Sequence, residues 1–562
     1  MTPWLNKIWI GLFCLLLTPA VWGQGNNDVK LANHYYQKGE FDKAEVYYKK
    51  LVNKSNSQSF FDRYFLCLFY QEKFSDAEKV LTKRIKREPY YLEHKFKLAS
   101  VYELTEREGE AEELYQKLIN DLVPLQSEIE TLGKKFKLLG KYDHALNTYL
   151  KGKKILKKNS YGFQMELAEL YSLKNEPQKM IQEYLNLLEY SPVYLKSVQT
   201  YLSRAIDFED DDERVEMLKN EILLRVQKDP NKDYYAEMFI WYYLHKKEFA
   251  GAVIQAKALD KRKKGKGKRV YEVGMVCMTN EAYGPAKSAF QYIIDLGQNS
   301  QYYHISVENK LKIQFTEVTE KRSYTREQLN AVAMDFEKTL VDLGKDRYTI
   351  GIMEQLAKIY AFYMGEPGKA EKLISEAMDL PINKRDRAQL KILLGDVYIV
   401  SNKIWEASLL YMQVEKEFSE DILGHEAKFK NAKVFYYDGE FEYAKAQLDV
   451  LKASTSKLIA NDAMQLSLLL QDNLTMDTTL APVQMFANAD LLLQQNKFGE
   501  ALTLLDSLSG RFPFHSITDE VLYKRGEIYE ELQQWDDAIG TYSIIVESYA
   551  HDILADDAAF RM

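Results

Sequence analysis

The residues best able to bind a metal or attack a substrate are eight histidines and three cysteines, and their spacing supports neither chemistry. His34, His94, His144, His245, His304, His425, His515 and His551 are scattered, with no metal-ligand interval between neighbours. The patterns Gly-x-Ser-x-Gly, His-Glu-x-x-His, Gly-x-x-x-x-Gly-Lys-Ser/Thr and paired Cys-x-x-Cys are absent. Carboxylates are plentiful, but a catalytic pair needs a cleft that excludes water and drives the two pKa values apart. The densest acidic run, Glu209-Asp210-Asp211-Asp212-Glu213, lacks the Gly and closing Glu of a calcium loop and reads as the solvated start of a helix. The expectation is therefore no catalytic residue, no metal, no cofactor and no small-molecule substrate.

One charged segment invites a binding role. Lys261, Arg262, Lys263, Lys264, Lys266, Lys268 and Arg269 place seven cations in nine positions. Such a run is either an exposed flexible turn or an electrostatic dock for anionic lipid head groups or an acidic partner. The net charge of -8 excludes wholesale polyanion binding, and the run has no interleaved aromatics for base stacking, so nucleic acid is not expected.

The elements that must position these residues follow from a repeat. A small residue recurs at Ala44, Ala77, Ala111, Ala145, Ala252 and Ala286, with Met180 and Leu218 filling the same slot, at intervals of 33 to 38 residues. Companion residues recur with it: Leu132, Gly133 and Phe136 precede Ala145 and Tyr149, and Val273, Gly274 and Cys277 precede Ala286 and Phe290. This phrase resembles the tetratricopeptide repeat (TPR), which implies an all-α fold, a right-handed α-solenoid of TPR helix hairpins. Small residues let the two helices of a hairpin approach, so Gly or Ala on the first is expected beside Ala on the second. Gly39 and Gly140 should end first helices, with Asp42 and Asp143 placed to cap the next.

Prolines fit this division. Pro89, Pro192, Pro230 and Pro513 lie twelve residues after the small slot, where a second helix should stop, while Pro177, Pro285 and Pro367 fall at the turn inside a repeat. Later slots at Ala370, Ala407 and Ala444, then Ala501 and Ala538, are 37 apart. The expected organisation is a signal peptide over 1–23, a first array over 24–300, an irregular helical insertion over 301–350 divided near Ser323, and a second array over 351–562. That second array carries an extra helix near 457–474, and its ending suggests that the natural chain continues past Met562. Cys67 and Cys277 are about six repeats apart and read as small apolar fillers rather than a bridge.

In a TPR stack the first helices line a concave groove. Counting from each small slot places Tyr36, Phe69, Phe96, Trp241, Tyr271, Phe429, Tyr436, Phe486 and Tyr523 at groove-facing offsets, either as an amphipathic lining for a partner or as packing between repeats. Asn33 fits one slot of the cationic clamp of chaperone-binding TPR domains, but Val29 occupies another, which argues against a chaperone carboxyl terminus as ligand.

Met1 to Gly23 has a single charge at Lys7, an apolar core from Ile8 to Leu17 and small residues before a cut at Gln24, the pattern of a secretory signal. Cys14 lies inside that apolar core, which argues against lipidation. Leu394-Gly395-Asp396, Trp405-Glu406-Ala407-Ser408-Leu409, the run Gln447 to Ser456 and Ala460-Asn461-Asp462-Ala463 resemble an exported TPR family of the Gram-negative envelope, from about Tyr324 onward. That resemblance implies a periplasmic location, with association to the outer membrane, and partners that are envelope proteins or peptides. The expected function is a non-enzymatic scaffold or adaptor. The alternatives are a chaperone-like holder of outer-membrane clients and a regulatory arm of an enzyme beyond Met562.

Overall fold

A computed structural model describes residues 27–157, 160–320, 324–453, 456–475, 479–551 and 553–562. The expected signal peptide, Cys14 and Ser323 lie outside them. Among the described residues every regular element is helical, as the periodicity predicts. The chain divides into two compact units, Met1–Gln255 and Ala256–Met562.

Unit 1 contains α1 (Asn27–Gln37), α2 (Phe41–Lys54), α3 (Gln58–Tyr70), α4 (Phe74–Arg87), α5 (Leu92–Leu104), α6 (Glu108–Asn120), α7 (Gln126–Leu138) and α8 (Tyr142–Ile155). It continues with α9 (Gln164–Leu173), α10 (Pro177–Tyr190), α11 (Leu195–Ala205), α12 (Asp212–Lys228) and α13 (Asp233–His245), and the boundary falls within α14 (Phe249–Lys263). Consecutive helices pair as antiparallel hairpins, and successive hairpins stack. The slots Ala44, Ala77, Ala111, Ala145, Met180, Leu218 and Ala252 are all buried.

Unit 2 contains α15 (Lys268–Thr279), α16 (Tyr283–Asp295), α17 (Tyr303–Thr319), α18 (Arg326–Leu343) and α19 (Ile350–Lys358), which runs on as a π-helical turn over Ile359–Tyr363. Beyond it come α20 (Pro367–Met378), α21 (Lys384–Val400), α22 (Ile404–Glu417), α23 (Ile422–Asp438), α24 (Phe441–Leu451) and α25 (Lys457–Thr475). The last five are α26 (Ala481–Gln494), α27 (Phe498–Arg511), α28 (Thr518–Glu531), α29 (Trp535–Ser548) and α30 (Leu554–Arg561). The extra helix expected near 457–474 is α25. The expected first array straddles the boundary between units. The expected insertion is no excursion from the stack, because Phe315 of α17 and Phe336 of α18 share one core with Met353 of α19 and Ile374 of α20.

Two local expectations are corrected. Three first-helix glycines meet aromatic rings, not alanines: a Cβ at Gly133, Gly395 or Gly526 would lie 2.3, 2.5 or 2.4 Å from the ring of Tyr149, Tyr411 or Tyr542. Each tyrosine stands four residues after its small slot, so a knob of ring fills the hole left by a missing side chain. Gly274 comes nearer to the expectation, with Ala289 and Phe290 both 3.0 Å from such a Cβ.

The hairpin turns are likewise built by backbone. The residue after Gly140 donates to Phe136 O at 2.9 Å, the six-residue bond of a Schellman turn, and Lys73 to Leu68 O, Arg107 to Tyr102 O and Lys403 to Tyr398 O repeat it. Neither Asp42 nor Asp143 caps a helix; each is the second residue of its helix, and the cap positions belong to Glu40 and Lys141. Their negative charge still suits a helix N-terminus. The left-handed turn position is Gly140 in one repeat but Glu72, Glu106, Lys247 or Asn402 in others, with φ of +56, +59, +57 and +59°. A non-glycine residue there costs about 1–2 kcal/mol, which the packing of both flanking helices must offset.

Candidate partner-binding clefts

Unit 2 holds a half-open cleft of about 620 Å³. Its apolar wall comes from Phe362 in the π-helical turn, Ile399 and Val400 at the end of α21, Phe429 of α23 and Ile459 of α25. Its polar side carries Asp396, Lys430, Lys433 and Asp462. Lys430 Nζ donates to both oxygens of Asp396 at 2.8 and 2.9 Å, and the Tyr411 hydroxyl donates to the same carboxylate at 2.8 Å. Burial, then the Asp396 charge, push the Tyr411 hydroxyl well above its ordinary pKa. Asp396 on α21 and Lys430 on α23 are 34 residues apart, so this pair couples neighbouring first helices.

The same spacing recurs deeper in unit 2. Lys524 lies 3.5 Å from Asp490 and 2.7 Å from Glu527. Burial works to raise the Asp490 carboxyl, but Lys524 and Lys433 outweigh it and hold it below the usual range. Close by in sequence, burial and Asp519 push the Glu520 carboxyl up, and Asn473 donates to it at 3.3 Å.

Contacts between distant repeats join residues that border the cleft. Gln495, after α26, donates to Ile399 O at 3.2 Å and to Asn402 Oδ1 at 3.1 Å. Asn496 donates to Phe362 O at 3.0 Å, across 134 positions of sequence. Unit 1 has a smaller cleft of about 430 Å³, lined by Lys134, Lys137, Met165, Glu169, Tyr184 and Tyr201 among others. Tyr184 and Tyr201 stack there with centroids 5.6 Å apart.

Of the nine aromatics expected in a groove, only Phe429 lines the larger cleft. Phe96, Trp241, Tyr436 and Phe486 are buried and belong to the core, which removes them as an accessible lining. Phe96 packs between Tyr115 and Phe136, and Trp241 meets Phe208 edge-on at 5.4 Å. The other four are half-buried and occupied: Arg63 lies over Tyr36, Phe69 packs on Phe65 and Phe74, Tyr271 stacks on Tyr302 at 4.9 Å, and Arg561 donates to the Tyr523 hydroxyl at 3.0 Å. Asn33 accepts from the Tyr48 hydroxyl at 2.7 Å and is thereby taken up within its own hairpin. Sequence reasoning missed Asp396, Lys430, Tyr184 and Tyr201. An acid and a lysine one repeat apart on first helices was the available signal for the first two.

The basic run spans an exposed link between two helices. Lys261, Arg262 and Lys263 finish α14 and Lys268 and Arg269 begin α15, leaving Lys264 to Gly267 as the link. Buried Asp260 holds that link: its Oδ1 accepts from Gly267 N at 3.1 Å, its Oδ2 from the Tyr292 hydroxyl at 3.1 Å, and its carbonyl from Gly265 N at 2.8 Å. Ser300 Oγ donates to Lys266 O at 2.7 Å. Lys261, Arg262, Lys263, Lys264, Lys266 and Lys268 are placed on the edge of this link, and Arg269 donates to Glu272 at 3.1 Å.

In the acidic run, Asp211 caps α12 by accepting from Arg214 N at 3.1 Å. Cys67 and Cys277 are unbridged and buried, and burial pushes their thiols up to about 12 and about 11, which leaves no reactive thiolate at neutral pH. Among the described residues no cluster of three His, Cys, Asp or Glu is arranged to hold a metal, and no helix is long and apolar enough to cross a membrane.

Comparison with known proteins gives one family. A family model described as tetratricopeptide repeat matches residues 486–553. No curated protein matches the chain. A tetratricopeptide repeat protein from Parabacteroides merdae is similar in structure with a TM-score of 0.28 and 13% identity, over 53% of this chain and 97% of that one. Naa15/Naa10 bound to HypK-THB gives a TM-score of 0.27 and 12% identity over 94% and 85%. Yeast Tom70 gives 0.26 and 14% over 95% and 96%.

Proposed function

We propose that the chain, whose residues 486–553 match a tetratricopeptide-repeat model, is a non-enzymatic scaffold that seats protein partners in the cleft of unit 2. The observation that carries this reading is the cleft itself, where Phe362, Ile399, Val400, Phe429 and Ile459 line an open wall beside fixed charges. A rigid apolar wall with a few oriented polar groups is what a peptide or helix segment needs to be held in one register. Lys430 and Asp396 neutralise one another, so they orient a ligand rather than activate a nucleophile. The apolar stretch from Ile8 to Leu17 supports an envelope setting for those partners, and an adaptor of the periplasm or outer membrane is the form of the proposal we favour.

Photo-crosslinking in cells tests it. A benzophenone side chain at Phe429 should yield a small set of stoichiometric protein adducts, and one at Val46, exposed on a second helix, should not. Substituting Ile459→Asp should deplete those adducts at least about tenfold while leaving the circular dichroism spectrum unchanged. Identical adduct sets at the two positions, or none at Phe429, would end the cleft reading. Many weak, unrelated adducts would indicate a chaperone-like holder instead.

A further inference from the structure

In unit 1 the turns that follow α4, α6 and α8 share one edge, because each second helix runs parallel to the next with an antiparallel first helix between them. Hydrogen bonds tie the ends of neighbouring second helices: Arg84 of α4 donates to Asn56 O, just after α2, at 3.1 Å, and Lys151 of α8 donates to Asn120 O at the end of α6 at 2.9 Å. On this edge Lys86, Arg87, Lys117 and Lys154 are exposed and form no ion pair among the described residues. Between them, Tyr90 after Pro89 is 94% exposed and Leu125 after Pro124 is 54% exposed.

The cations alone suit helix C-termini. Tyr90 gains almost nothing from folding and Leu125 keeps about half its surface in solvent, and among the described residues no ring partner receives Tyr90. Even with the exposed carboxylate of Asp121 on the α6 turn, the four cations leave a local positive field on a chain whose net charge is -8. Separated apolar anchors on that field match a fluid interface, which accepts anchors at any spacing, whereas a protein surface would need a fitted pocket for each. We propose that this edge docks unit 1 onto an anionic bilayer, with Tyr90 and Leu125 reaching the boundary between head groups and acyl chains and the four cations lying against lipid phosphates. The contact is peripheral and independent of the cleft in unit 2.

Co-sedimentation of the purified full chain with vesicles tests it. The chain should partition onto phosphatidylcholine vesicles containing phosphatidylglycerol and not onto phosphatidylcholine alone, and added salt should release it. Removing each cation should weaken partition roughly fivefold, so Lys86→Glu with Arg87→Glu should weaken it at least ~25-fold. Tyr90→Ser with Leu125→Ser should weaken it severalfold while preserving the salt dependence. These four positions are exposed, and unchanged circular dichroism in both double variants shows that folding is intact. Failure to bind the anionic vesicles, binding indifferent to both double variants, or retention on soluble polyglutamate in place of vesicles would each overturn the proposal.

Discussion

Three equivalent positions show how the two units differ. In unit 1 the Tyr48 hydroxyl donates to Asn33, and Arg63 of the following repeat lies over the Tyr36 ring and donates to the Tyr48 hydroxyl at 3.4 Å, without reaching Asn33. In unit 2 the Tyr411 hydroxyl donates to Asp396, and Lys430 of the next repeat bonds both carboxylate oxygens. At this position a neutral acceptor leaves the neighbouring repeat's cation on the tyrosine, whereas a carboxylate takes it in charge-assisted bonds, as Asp62 takes Lys97 elsewhere in unit 1. Unit 2 also carries bonds that jump 93 to 134 positions through Gln495 and Asn496, while the longest side-chain span described within unit 1 is the 46 positions between Tyr235 and Glu189. Regular stacking is thus a sum of neighbour contacts, and the bonds that border the cleft are an addition to it.

The largest expected effect probes what the units share. Gly133→Val and Gly395→Val each drive a side chain into a buried tyrosine ring and should cost about 3 kcal/mol in urea unfolding. Equal costs would confirm that the glycine–tyrosine knob is common to both; a much smaller cost in unit 1 would show a looser stack there. The next probes what they do not share. Gln495→Ala with Asn496→Ala should cost about 2 kcal/mol and speed hydrogen exchange in α21 to α23, with unit 1 peptides unchanged. Equal change in both units would break the distinction.

The smallest effect concerns pH, with opposite signs in the two units. Glu520 has its pKa raised above the ordinary 4.5, chiefly by burial, so its contribution to stability is complete below that value and is lost as pH rises through the folded value. Glu520→Gln should therefore raise the melting temperature at pH 7 by an amount worth about 1 kcal/mol, with no gain below pH 4.5. In unit 1, burial lowers the His94 pKa below 6.5 despite Glu88. Its contribution is complete above 6.5 and is lost as pH falls, so exchange in α5 should quicken on acidification below that point. The same sign in both units would refute these assignments.

The hairpins were legible because each needs a small slot, a breaker and an aromatic at fixed offsets, and Ala77 with Pro89 and Ala407 with Tyr411 supply such pairs locally. The fate of the aromatics was not. Whether Phe96 or Phe429 meets solvent depends on what the next repeat presents, and both offer the same ring at the same offset. Side-chain capping logic failed for Asp42 because the backbone turn had already placed Glu40 at the cap. Gln495 and Asn496 read as ordinary turn residues, since nothing in their own repeat reveals the distant carbonyls they reach.

Those carbonyls have a temporal meaning. Joining chain segments so far apart carries a loop-closure cost that is recovered only after the intervening helices have docked, so local hairpins form first and this clasp follows. During synthesis the wall contributed by Phe362 and Ile399 exists well before Gln495 is made, and the seat between them takes its final form late. Until that clasp forms, the hairpins are stacked but the cleft is unfinished, so its shape matures later than its walls.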